Sequence, residues 1–183
     1  MAANTQTMTE QMIARDARAR SRRRRPTARQ QTAFVVTCVG YFLVLLDLTI
    51  VNVALPTIAK GLHANVSALQ WVVDGYAIAL ASLMLGGGTI GDLYGHKRVV
   101  LAGLTLFGAA SFGCGLAPSS GALVAFRVLQ GVGAALMLPG TLAVITNAYP
   151  REQERARAIG AWAAAGSVAL PAGPLLGGIL MVA

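Results

Sequence analysis

Asp47, Asp74 and Arg127 stand inside the apolar runs LVLLDLTIVNV, WVVDGYAI and LVAFRVLQGVG. An ionisable side chain in such surroundings costs a few kcal/mol and is ordinarily retained for a pathway, a relay or a pair. A carboxylate and a guanidinium at one level have two uses. They form a purely structural ion pair, or they compete conditionally for a proton, since a nearby cation lowers a carboxylate's pKa and burial raises it. Covalent chemistry has no comparable signal: the chain holds no P-loop, Gly-x-Ser-x-Gly, HExxH or metal-spaced cluster. Neither an enzyme, nor a bound metal, nor a cofactor is expected. Cys38 and Cys114 lie in apolar runs without ligand spacing and read as small packing residues.

The elements that carry these residues are membrane helices. At 55 % hydrophobic and 12 % charged residues in 183, with a mean hydropathy of +0.61, the chain is too apolar for an ordinary soluble domain. A span needs about 20 mostly apolar residues, and five segments qualify: 34–55, 71–90, 99–116, 122–146 and 159–182. They lack the polar stripes that a soluble helical bundle would show. The fold class is therefore all-α membrane protein, with a basic tail over 1–33 and a transmembrane domain over 34–183. The tail, containing ARDARARSRRRRPTARQ, holds eight of the 15 Lys and Arg and reads as disordered and solvated, with a membrane surface rather than nucleic acid as its neighbour. It is not a cleavable signal, because the following apolar run exceeds the ~7–15 residues of an h-region. Counting loops and tail, thirteen basic residues fall on one side and one on the other, which places the N terminus in the cytoplasm of a multi-pass cell-membrane protein.

Depth can be estimated at ~1.5 Å per residue. Asp47 lies 13 residues from the inner start of the first span and Arg127 five from the outer start of the fourth, so within a ~30 Å core the two levels agree to about a turn. Gln130, Gly131 and Ala134 follow Arg127 at i+3, i+4 and i+7, giving the arginine a polar or small face that suits a cavity or a close neighbour. Asp74 is shallower, beside Trp71 and Tyr76. It reads either as an interfacial Asp in the first turn of its helix, with Trp and Tyr anchoring the rim, or as a cation site facing outward. Between the second and third spans, GGGTIGDLYGHKRVV offers Gly88 for close packing, Asp92 as an anion at the membrane edge, Gly95 for the reversal, and Lys97 and Arg98 to hold the loop inside. In the fifth, Gly166, Gly173 and Gly177 fall near one face and permit close backbone contact, while Pro171 and Pro174 each remove a donor.

Taken in order, these motifs resemble the N-terminal part of a major facilitator superfamily transporter, and specifically the fourteen-helix drug:proton antiporters. LDLTIVNVALP is similar to that subgroup's helix-one motif, WVVDGY to its helix-two opening, GTIGDLYGHKR to the superfamily's loop motif, LVAFRVLQGVGAA to the helix-four motif, and GSVALPAGPLLGG to the antiporter signature. The resemblance implies proton-coupled efflux of drugs or other small amphipathic or cationic compounds. Asp47, Asp74 and Arg127 would handle proton and substrate, Gln130 and Gly131 would belong to the helix-four motif, and Gly173, Pro174, Gly177 and Gly178 to the antiporter motif. The proton gradient would supply the energy. Leu93 and His96 stand where the family commonly has arginine, which weakens any loop latch. Family members have twelve or fourteen helices, so the expected partners are lipid, a small-molecule substrate and the missing C-terminal helices of the same transporter. A non-transporting membrane fragment and a proton-independent facilitator of small metabolites are the alternatives.

Overall fold

The computed structural model describes residues 27–182, so most of the expected basic tail lies outside the described residues. Among the described residues there are five helices and no strand: α1 Ala28–Gly61, α2 Val66–Tyr94, α3 His96–Gly115, α4 Ser120–Ala148 and α5 Glu152–Val182. All five are long and apolar enough to cross a membrane. Connections of one to four residues join them, too short for anything but an antiparallel reversal. One end of the bundle therefore carries the α1–α2 and α3–α4 connections, and the other carries the α2–α3 and α4–α5 connections.

The helices overrun the apolar segments because hydropathy marks only what suits hydrocarbon, whereas a helix stops where caps and special residues stop it. α1 starts at Ala28 rather than near Phe34. Thr27 and Gln30 form a reciprocal cap there, Thr27 N donating to Gln30 Oε1 at 2.9 Å and Gln30 N to Thr27 Oγ1 at 3.4 Å. The same helix runs through Pro56 to Gly61, where His63 at φ 46° ends it. α2 starts five residues before Trp71, at Val66, because Asn65 Oδ1 accepts from Ala68 N at 2.8 Å. Ser119 caps α4 in the same way through Ala122 N, and Glu152 and Glu154 place negative charge in the first turn of α5.

Gly95 alone separates α2 from α3, at φ 91° and ψ 119°. Its N–H donates to Gly91 O and its carbonyl accepts from Arg98 N, so the reversal has no slack. A side chain is rarely tolerated in that conformation, and Gly95→Ala is expected to cost about 1–3 kcal/mol, read as a lower unfolding midpoint of the lipid-reconstituted chain.

α4 is the enclosed helix: half of its apolar span is covered by protein, against at most 28 % in the others. It packs along α2 and α3 around a core of Val44, Tyr76, Val100, Phe107, Ala134 and Met137. The approach is close because glycine faces backbone. A Cβ on Gly133 would overlap Phe107 N and Gly103 O, and one on Gly87 would overlap Ala135 O. Gly87, and not Gly88, is thus the point of closest contact, since Gly88 only reaches Pro139 Cβ at an ordinary 3.8 Å. On α5, Gly166 meets Tyr41 and Leu45, Gly173 meets Thr49 and Ile50, and Gly177 meets Val53. Trp162 stacks on Tyr41, with ring centroids 4.0 Å apart, so α5 lies against α1.

Candidate functional site

Three helices converge on Arg127. The cap at Ser119 sets the register of α4 and puts Arg127 in its third turn, on the face shared with Gln130, Gly131 and Ala134, all of them buried. Arg127 is 2 % exposed. Its Nη1 donates to Asp47 Oδ2 of α1 at 2.5 Å and to Gln130 Oε1 at 2.9 Å, and its Nε donates to Val72 O of α2 at 3.0 Å. Gln130 Nε2 donates to Asp47 Oδ1 at 3.0 Å, so both carboxylate oxygens are engaged. Beneath the guanidinium lies the ring of Tyr76, its centroid 4.4 Å from Cζ, close enough for a cation–π contact.

Two opposing terms set the energy of such a pair. Away from water the attraction is large, but so is the cost of keeping two ions desolvated. Protonating the carboxyl removes one charge and leaves the other without its anion. The Asp47 side chain is 12 % exposed against 3 % for that of Arg127, so the carboxylate is the more accessible member of the pair. Beside it is a cavity of about 390 Å³ lined by Asp47, Arg127, Gln130, Cys114, Ile58 and Leu62, among others. Ile58 lies at the far end of α1 and Leu62 in the connection just beyond it, so the cavity extends from the pair toward the end carrying the α1–α2 and α3–α4 connections.

Asp74 is not brought to this site. α2 buries Val72, Gly75, Tyr76 and Ala79, while Asp74 is exposed on another face. It also stands in the third turn of a helix that begins at Val66, which removes the first-turn placement expected for it. Tyr76, read as a rim anchor, is fully buried under Arg127. The i, i+3, i+4, i+7 spacing of Val72, Gly75, Tyr76 and Ala79 carried that signal. Cys114 does more than fill space: its Sγ donates to Gln130 Oε1 at 3.4 Å, fixing which end of the Gln130 amide faces Asp47.

The remaining motif residues lie elsewhere. Asp92 pairs with His96 Nε2 at 3.0 Å across the α2–α3 turn, a contact that carries a full charge pair only when the imidazole is protonated. Lys97 and Arg98 are exposed, and Leu93 is 75 % exposed. Gly173 and Gly177 face α1, whereas Gly178 has open space at its Cβ position and Pro174 is exposed. Among the described residues no group of His, Cys, Asp and Glu could hold a metal ion.

Comparison with known proteins agrees with this architecture. The family model of the Major Facilitator Superfamily matches residues 37–183. The multidrug resistance protein Stp of Mycobacterium tuberculosis (strain CDC 1551 / Oshkosh) is 42 % identical over 152 residues, covering 83 % of this chain and 28 % of that protein. The methylenomycin A resistance protein of Bacillus subtilis (strain 168) is 39 % identical over 82 % of this chain and 32 % of its own length. The drug efflux pump JefA of the same M. tuberculosis strain is 39 % identical over 85 % of this chain and 30 % of its own length. The chain thus spans a little under a third of the length of each of these relatives.

Proposed function

This chain belongs to the Major Facilitator Superfamily, and on that footing we propose that its five helices work as the N-terminal part of an exporter that exchanges protons for drugs or other small amphipathic or cationic compounds. The relatives with resistance and efflux names support the substrate class, and their greater length supports a larger transporter. The observation that carries the proton half is the Asp47–Arg127 pair, buried in the bundle with its carboxylate on a cavity. In this reading the basic loops and tail lie in the cytoplasm, so the cavity opens outward and Asp47 takes up its proton from outside. Protonation releases Arg127. When the halves rock, the pair reforms and the proton leaves toward the cytoplasm. The residues bind and move a proton and break no covalent bond, so the role is transport and not enzymatic.

The test is drug movement in vesicles holding the whole transporter, driven by an imposed pH gradient. Asp47→Asn and Arg127→Ala are each expected to lower gradient-driven movement at least tenfold while leaving membrane insertion intact. Undiminished coupling in both variants overturns the proposal, and flux indifferent to the gradient in the unmodified protein establishes a facilitator instead.

A further inference from the structure

Tyr76 is fully buried, and its hydroxyl has no hydrogen-bond partner among the described residues. A phenylalanine would fill the ring's volume equally well without leaving a polar atom unsatisfied. An orphaned buried hydroxyl is costly and calls for a use in another state of the site. The charged and titratable groups around it are few: Arg127 of α4 over its ring, Asp47 of α1 paired with that guanidinium, and Cys114 of α3 on Gln130. Asp74, on Tyr76's own helix, is exposed on another face.

We propose that Tyr76 is the positioning residue of the Arg127–Asp47 site, its ring holding the guanidinium and its free hydroxyl accepting a hydrogen bond from Arg127 when Asp47 is protonated. This rests on the proton-exchange reading above and deepens it. With Asp47 neutral, Arg127 keeps Gln130 Oε1 and Val72 O but loses its anion. The ring beneath still attracts the cation, most strongly where water is excluded, and the phenol oxygen offers unused lone pairs on the same side chain. The guanidinium then tilts toward Tyr76 rather than leaving, and the pair can reform once the proton departs.

The experiment uses this chain reconstituted in lipid. Protonation of Asp47 is followed by its carboxyl infrared band, assigned with Asp47→Asn, and stability by thermal unfolding at neutral pH. Tyr76→Phe keeps the ring and deletes the hydroxyl. It is expected to unfold at the same or a higher temperature, because the orphan atom is gone, while the proton affinity of Asp47 falls several-fold: the protonated state has lost a partner, so the titration midpoint moves to lower pH. Tyr76→Leu deletes the ring as well and is expected to unfold earlier. A Tyr76→Phe titration superimposed on the unmodified one, or a lower unfolding temperature for Tyr76→Phe, overturns the proposal for Tyr76 alone. A carboxyl band in the unmodified chain that never titrates overturns the proton-exchange reading beneath it.

Discussion

Arg127→Ala is expected to destabilise the bundle by about 3–5 kcal/mol, the usual consequence of removing one member of a buried ion pair. The loss has little to do with the net value of the pair. It arises because Asp47 is left as an uncompensated carboxylate, Val72 O and Gln130 Oε1 lose a donor, and Tyr76 loses the cation over its ring. Two signatures separate this from simple loss of packing. Acid should relieve the defect, since a protonated carboxyl no longer carries the orphaned charge, so the variant gains stability relative to the unmodified chain as pH falls. The double variant with Asp47→Ala should also be more stable than Arg127→Ala alone. Arg127→Lys restores the charge but not the planar fork that serves three acceptors at once, so it should recover only part of the loss. Unfolding in detergent at neutral and acidic pH measures all four chains. A double variant no more stable than the single one would show that the pair does not govern stability here.

Gly131→Val is the second large effect. A Cβ on Gly131 would overlap Tyr76 O and come within 2.8 Å of Ala79 Cβ and 3.2 Å of Leu80 N. None of these belongs to the flexible end of a side chain, so the crossing of α4 over α2 must open. Overpacking of this kind costs about 1–3 kcal/mol. It should also move Arg127, one turn away, off Val72 O and off the Tyr76 ring, so proton-driven exchange should fall more steeply than stability. Gly178→Ala is the control, because open space surrounds that position, and it is expected to leave the unfolding midpoint unchanged. An equal effect at both positions, measured by unfolding and by gradient-driven transport in the same preparation, would sink the explanation by close helix crossing.

How much could be read beforehand varies by residue. The matching depths of Asp47 and Arg127 followed from counting along two apolar runs, because rise per residue is constant in a helix. Gln130 followed from its i+3 place on the arginine's face. The expected order of helices and motifs was equally plain, and family membership came with it. Tyr76 was another matter. WVVDGYAI places a tryptophan, an aspartate and a tyrosine together near a membrane edge, and that grouping masks two local signals, the cap at Asn65 and the helical spacing of Val72, Gly75, Tyr76 and Ala79, whose meaning is plain only once α4 lies against that face. Gly87 and Gly88 are likewise indistinguishable until α4 lies against one of them.

The spans, the short connections and the presence of paired charges inside them were therefore fixed along the chain, since hydropathy, capping and rise per residue are local quantities. Which face of each helix meets protein was settled by packing in three dimensions. Lipid is as apolar as a leucine side chain, so hydrophobicity does not mark the inward face of a membrane helix. Small residues and a few polar groups do, and they act only once a neighbour is in place. Arg127 illustrates the division: its depth was in the sequence, but its seat on Tyr76, its bond to Val72 O and the cavity beside Asp47 exist only where α1, α2 and α4 converge.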